Sequence, residues 1–175
     1  MPADTDLDDL TAAMLPRVAR LARHLCGPAA EDATQEAFRE VTRAWPSFRG
    51  EAAPTTWAHR IAVRTIVRWS ERQQRRQHHE PTASQLDLRL DDAVVADFAE
   101  QPFARLAAAE RRERVHRAIN LLSPPLRAAL LLRAIDGMDY AGIAATLELP
   151  LGTVKSRLAA ATVLLASRLQ DLAKP

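Results

Sequence analysis

Asp139-Tyr140-Ala141-Gly142-Ile143-Ala144-Ala145-Thr146-Leu147-Glu148-Leu149-Pro150-Leu151-Gly152-Thr153-Val154-Lys155-Ser156-Arg157-Leu158 reads as two short helices folded across a tight turn. Asp139 is placed to cap the first helix, because a carboxylate can accept from the free backbone N–H groups that open it. Ile143, Ala144 and Leu147 then share one face, which the spacing marks as buried. Pro150 cannot continue that helix but has the fixed φ suited to starting another, whose inward positions are Val154, Leu158 and Ala161. Lys155, Ser156 and Arg157 are left pointing away from the core near the N-terminal end of the second helix. A helix held crosswise by its neighbour, with polar and cationic side chains at that end, has the geometry that enters a DNA major groove. Two amphipathic helices and a turn also occur in all-α domains that never touch DNA. Glu148 stands in the turn where such motifs usually carry Gly, and a left-handed backbone there costs an L-residue roughly 1–2 kcal/mol.

Outward from this stretch the chain stays helical. Ser123-Pro124-Pro125 reads as an N-cap and a proline-led helix start. Leu126, Leu130, Leu131 and Ile135 are expected to pack inward, and Gly137 to end the helix. Before it, Phe103 to Leu122 carries Leu106, Val115, Ile119 and Leu122 at helical spacing, with a mixed-charge cluster from Glu110 to Arg114 that reads as a solvated face. After it, the second helix of the pair continues through Leu164, Leu165, Leu169 and Leu172.

Residues 77–102 change character. The run Gln77-His78-His79-Glu80-Pro81-Thr82-Ala83-Ser84 is polar and broken by proline, and scattered aspartates follow, which predicts a linker with a short helix around Leu88 to Phe98. Neighbouring His78 and His79 diverge on an extended chain and have no Cys cluster beside them, so no metal site is expected. His24, His59 and His116 read as solitary, structural histidines.

Upstream of the linker, Arg60, Arg64, Arg68, Arg72 and Arg76 recur at intervals of four, with Arg75 beside the last. Each step advances about 400° at ~100° per residue, so the guanidinium groups form a slowly spiralling stripe. Ile61, Ile66 and Trp69 are left to face a core. Glu71 is the only acid between Trp57 and Gln77, which favours a polyanion partner over a merely solvated face. Five contacts to duplex phosphates would give a log–log salt slope of roughly −4.5. The stripe is preceded by a loop from Ser47 to Thr56, with Thr55 or Thr56 as the cap of a helix beginning at Trp57. A helix from about Glu31 to Trp45 comes before the loop. It lines one side with Ala33, Ala37, Phe38, Val41 and Trp45, and puts Asp32, Gln35, Glu36, Arg39 and Glu40 on the other. The first helix carries Leu7, Leu10, Met14, Val18, Leu21 and Leu25, with a break expected near Pro16.

At 175 residues, with eleven Pro and five Gly, the chain is long enough for one medium or two small domains and shows no alternating strand pattern. The formal net charge is only +2, yet an acidic start (Asp4, Asp6, Asp8, Asp9) contrasts with the basic run from 60 to 76. A single cysteine, Cys26, excludes an internal disulfide framework and reads as a small buried hydrophobe. No apolar run approaches the ~20 residues of a membrane span and no signal peptide is evident, so a cytoplasmic protein is expected. The sequence has no Gly-rich phosphate loop, no activated nucleophile and no carboxylate pair in an apolar setting, so neither an enzyme nor a cofactor is expected.

Several of these stretches resemble one family. Glu31-Asp32-Ala33-Thr34-Gln35-Glu36-Ala37-Phe38, Trp45-Pro46-Ser47-Phe48-Arg49-Gly50-Glu51 and Thr56-Trp57-Ala58-His59-Arg60-Ile61-Ala62 resemble region 2 of the extracytoplasmic-function bacterial sigma factors. Leu122-Ser123-Pro124-Pro125, Asp139 to Ala144 and Leu149 to Leu158 resemble their region 4. The resemblance implies an all-α chain of two small helical domains joined by a flexible linker: region 2 in 1–76, the linker in 77–102, and region 4 with its helix-turn-helix in 103–175. It implies a subunit that binds core RNA polymerase, directs it to particular promoters and starts melting at the minus-10 element. Polymerase binding maps onto Asp32, Gln35, Glu36 and Arg39, minus-10 binding onto Phe48, Arg49, Trp57, Arg60, Arg64 and Arg68, and minus-35 binding onto Thr153, Lys155, Ser156 and Arg157. An anti-sigma partner is common in the family and is expected here. The chain departs from the family where Val63 and Arg64 replace a usual Arg-Asn, and where Ala159, Ala160 and Ala161 replace further basic residues, so weak duplex affinity is expected of the second domain. Two rival readings are a polymerase-independent helix-turn-helix regulator and a protein-interaction module that occupies polymerase without binding promoters.

Overall fold

A computed structural model describes residues 6–77, 110 and 113–171, which contain helices and no strand. Helix α1 spans Leu7–Cys26 and is opened by Asp6, whose carboxylate accepts from the Asp8 N–H at 3.1 Å. It runs through Pro16 without the expected break. Pro16 and Ala12 both lie on the solvent side, where water can satisfy the carbonyl that the missing proline N–H leaves open. A short 3₁₀ turn, Gly27–Ala29, leads into α2, Ala30–Ala44, and a second, Trp45–Ser47, closes it.

Helix α3 spans Pro54–Gln77 and so begins earlier than the sequence suggests. The Trp57 N–H already donates to the Ala53 carbonyl at 3.0 Å. Proline suits the first helical position because its missing N–H would have no partner there. Thr55 and Thr56 therefore sit in the first turn instead of capping it. The three helices pack on one another around Val18, Leu21, Ala37, Val41, Ala62 and Ile66, all buried. The Ser70 hydroxyl donates to the Leu25 carbonyl at 2.9 Å and ties α3 to the end of α1.

The second lobe comprises a helix over residues 113–120 (α4), α5 at Pro124–Ala134, α6 at Tyr140–Leu147 and α7 at Leu151–Asp171. Ser123 stands at the cap position of α5, but its side chain makes no capping bond; its carbonyl receives the Leu126 and Arg127 N–H groups instead. The buried positions of α5 are Pro124, Ala128, Ala129, Leu131 and Leu132. Leu126, Leu130 and Ile135 are only half-buried, because small alanines let neighbouring helices approach on a face rotated from the all-leucine one. The helix ends at Ala134, before Gly137, which turns the chain with φ +65°.

The Asp139 carboxylate accepts from the Gly142 N–H at 2.6 Å, as an N-cap should. Gly142 has its own reason to lack a side chain: an added Cβ would lie 2.9 Å from that carboxylate oxygen. Glu148 adopts the left-handed conformation (φ 55°, ψ 48°), so this turn carries the cost that an L-residue meets there. Helices α6 and α7 meet at 109°, within the range of a helix-turn-helix. Ile143, Val154, Leu158 and Ala161 are buried as the spacing predicts, and Thr146 joins them.

Helix α3 packs against both α5 and α6, and α1 packs against α5. Buried residues of both lobes consequently form one continuous apolar cluster. Among the described residues no single helix is long and apolar enough to cross a membrane. The linker from 78 onward, the His78-His79 pair and Leu106 lie outside the described residues. No group of metal-binding side chains occurs among those described.

Candidate nucleic-acid interface

The loop before α3 is braced by aromatic stacking. The Phe48 ring lies 5.4 Å from Trp45 and 5.1 Å from Trp57, and the two indoles are 6.0 Å apart. All three are half-buried, so they hold the loop against the end of α2 and the start of α3. Trp45 was read in the sequence only as a core-lining residue. The available signal was that three of the chain's few aromatics bracket one short loop. Arg49, Gly50 and Glu51 project from this brace into solvent.

The arginine stripe is not uniform. Arg68, Arg72 and Arg76 are exposed, whereas Arg60 and Arg64 are partly covered by the second lobe. Arg72 lies over the Trp69 ring at 5.9 Å. Arg64 pairs with Glu148, the residue in the strained turn of the other lobe. Phe48, Arg49, Trp57, Arg60, Arg64 and Arg68 thus lie on one stretch of the first lobe, with Arg64 engaged.

On α7, Lys155 and Ser156 are exposed, and Thr153 and Arg157 are half-buried. The Ser156 hydroxyl donates to the Thr153 carbonyl at 3.0 Å, which leaves its lone pairs outward. Ala159 and Ala160 continue the exposed side without charge. On α2, Asp32 and Gln35 are exposed, and Arg39 bonds both Glu36 (3.0 Å) and Gln35 (3.3 Å). This face is a preorganised polar patch, far in character from the arginine stripe.

Between the lobes lies a buried charge. The Asp136 carboxylate is fully covered and accepts from Arg17 Nε at 2.9 Å. His59 Nε2 approaches its other oxygen to 3.3 Å, at an angle that gives neither atom a well-directed hydrogen bond. Burial pushes the Asp136 carboxyl up; the contacts from His59 and Arg17, with their charge, outweigh it and hold the group below the usual carboxylate range. Arg20 donates to the Ile135 carbonyl at 3.3 Å beside it. The histidines are therefore not solitary: His59 faces Asp136, and the His24 and His116 rings meet edge-on at 6.1 Å. Cys26 is buried as expected, and burial pushes its thiol up to about 12 against the opposing charge of Arg127.

A two-lobed helical chain that places a cationic helix beside an aromatic-braced loop and carries a helix-turn-helix has the elements of a nucleic-acid-binding protein. Residues 10–76 match Sigma-70 region 2, and residues 112–172 match Sigma-70 region 4. The ECF RNA polymerase sigma-E factor of Escherichia coli K12 is 36% identical over 145 residues, covering 81% of this chain and 74% of that protein. The RNA polymerase sigma-H factor of Pseudomonas aeruginosa is 35% identical over 144 residues, covering 82% and 74%. The sigma factor RpoE of Bartonella quintana, solved with the anti-sigma factor NepR, shares the fold with a TM-score of 0.66 at 20% identity, over 93% of this chain and 96% of that one. CnrH, solved with the cytosolic domain of CnrY, superposes with a TM-score of 0.60 at 21% identity, over 96% and 89%. The chain belongs to the extracytoplasmic-function sigma factors of the sigma-70 family: it is a transcription initiation factor that binds core RNA polymerase and directs it to promoter DNA.

Proposed function

We propose that the two lobes divide promoter recognition between them. The first, residues 1–76, holds polymerase through Asp32, Gln35, Glu36 and Arg39 and opens the minus-10 element with Phe48, Arg49, Trp57, Arg60, Arg64 and Arg68. The second, residues 103–175, reads the minus-35 duplex with Thr153, Lys155, Ser156 and Arg157, and residues 77–102 link the two. The observation that carries this reading is the aromatic-braced loop leading directly into the arginine stripe of α3. Extruding a base costs a few kcal/mol of unstacking and unpairing, which a rigid loop that receives it and cations that hold the strand can offset. Phe48 and Trp57 act chiefly by fixing the loop, since both are already packed.

The chain works by binding, with no chemistry or cofactor of its own, and acts in the cytoplasm, where promoter and polymerase are. The sigma factor of Bartonella quintana was solved with an anti-sigma factor, which supports an anti-sigma partner for this chain as well. A polymerase-independent regulator accounts less well for a chain that carries both modules in this order. The deciding experiment selects transcribed promoters from random DNA with core polymerase reconstituted with this chain. A shared pair of elements is expected at minus-35 and minus-10. Start sites no more specific than those of core alone would end the reading.

A further inference from the structure

A cleft of about 370 Å³ opens where α1, the start of α3 and α6 meet. That volume lies near the lower end of the ~300–1,000 Å³ typical of small-molecule sites. Met14, His59 and Thr146, all buried, line its inner end, and Arg17, Thr55, Thr56 and Asp139, all exposed, line its rim. Arg60, half-buried, stands one turn along α3 from Thr56. The cations therefore lie on the side of the first lobe, and the Asp139 carboxylate comes from the second.

The two sides call for different chemistry. Pro54 has no N–H, and the Trp57 N–H is taken by the Ala53 carbonyl, so Thr55 and Thr56 supply the open backbone donors of the first turn of α3. With two hydroxyls and a guanidinium beside them, those donors suit a phosphate. Two groups at the inner end point independently to a ligand. The His59 side chain is only 6% exposed, and its Nε2, 3.3 Å from Asp136, makes no directed hydrogen bond. The buried Thr146 hydroxyl donates to the Met138 sulfur, a weak acceptor, at 3.8 Å. Buried polar groups in folded proteins are normally well satisfied, and these two keep bonding capacity that the chain does not use. One Asp139 oxygen caps α6, which leaves the other to accept an N–H. Met14 and Met138 line the space in between, and thioethers pack favourably on aromatic rings.

We propose that this cleft binds a free mononucleotide, its phosphate at Thr55, Thr56 and Arg60 and its base beside Met14 and Met138, within reach of His59, Thr146 and Asp139. A bare phosphate would leave the inner groups unused, and a bare nucleoside would leave the cationic rim unused. The ligand touches α1, α3 and α6 together, so it stabilises the folded chain in proportion to its concentration over its Kd. The site holds whichever promoter element α3 contacts.

The test titrates the full chain with AMP, read by calorimetry and by thermal melting, with inorganic phosphate, ribose 5-phosphate and adenosine as partial ligands. AMP should bind one to one and raise Tm with concentration. Each partial ligand should bind roughly tenfold more weakly or worse, since each lacks one set of contacts. Thr56→Glu sets a like charge against the phosphate and should weaken AMP by roughly tenfold or more. The same change should not lower Tm without ligand, because an acid suits the first turn of a helix. Arg72→Ala with Arg76→Ala, at the exposed far end of the stripe, should leave AMP affinity unchanged. No binding of AMP at millimolar concentration overturns the proposal, as does inorganic phosphate binding as tightly as AMP, or an affinity indifferent to Thr56→Glu. A loss on Arg72→Ala with Arg76→Ala as large as that on Thr56→Glu would make the nucleotide a counterion of the stripe and overturn it too.

Discussion

Helix α3 and helix α7 both carry exposed cations, but the two are built differently. Along α3 the arginines recur on successive turns beside a loop whose aromatic side chains are locked together. Along the first turns of α7 the charge is confined to Lys155 and Arg157, and Ala159 and Ala160 follow on the exposed side. A long cationic track grips a flexible strand by its phosphates with little regard to sequence. A short polar cluster at a helix N-terminus suits a few base-edge contacts in a rigid duplex. The difference supports the proposed division, with melting in the first lobe and positioning in the second.

The largest expected effect comes from reversing charge on the track. Arg60→Glu, Arg64→Glu and Arg68→Glu together should reduce open complex by roughly a thousandfold or more, since charged hydrogen bonds contribute about 1.5–3 kcal/mol each. Polymerase co-purification should be unaffected. Permanganate reactivity of unpaired thymines checks this, and an unchanged open complex would remove the stripe from the mechanism. Next in size, Arg157→Ala or Lys155→Ala should weaken promoter binding by about 1–3 kcal/mol if the residue contacts a base, with relaxed preference at one minus-35 position only. A uniform loss across promoter sequences, with a reduced salt slope, would assign the side chain to phosphate instead.

Glu148→Gly sets a local gain against a long-range loss. Relief of the left-handed strain should raise stability by about 1 kcal/mol, less whatever the exposed pair with Arg64 contributes. Thermal melting beside Glu148→Gln, which keeps the backbone and removes the charge, separates the two. The smallest effect concerns pH. Because the folded Asp136 carboxyl is held below its ordinary value, its contribution is present above the unfolded carboxylate pKa, ~3.9, and is lost as pH falls through the folded value. Asp136→Asn should therefore flatten stability against pH below about 4 while leaving the slope at neutral pH unchanged. Parallel curves for the two proteins would show that the Arg17 contact does not couple to folding.

Much of this was legible in the residues. Asp139 caps α6, and Ile143, Val154, Leu158 and Ala161 are buried, as the spacing predicts; Glu148 takes the left-handed conformation that glycine usually supplies in such a turn. The readings that failed did so where a neighbour intervened or a local alternative won. Thr55 and Thr56 looked like caps, but Pro54 had already started the helix. Pro16 looked like a break, but it lies on the solvent side, where the lost bond can be made to water.

The sequence alone determined the helices, the cross-braced pair, the arginine track and the order of the two modules, because these follow from periodicity, capping and proline, which act over a few residues. Only the tertiary structure decided which charge meets which. Arg17 finds Asp136 across 119 positions of sequence, and Arg64 finds Glu148 across 84, so neither pairing leaves a local trace. Side chains become partners through the packing of whole helices. That packing turned a histidine read as solitary, an aspartate in a turn and a glutamate in place of glycine into the seam between the lobes.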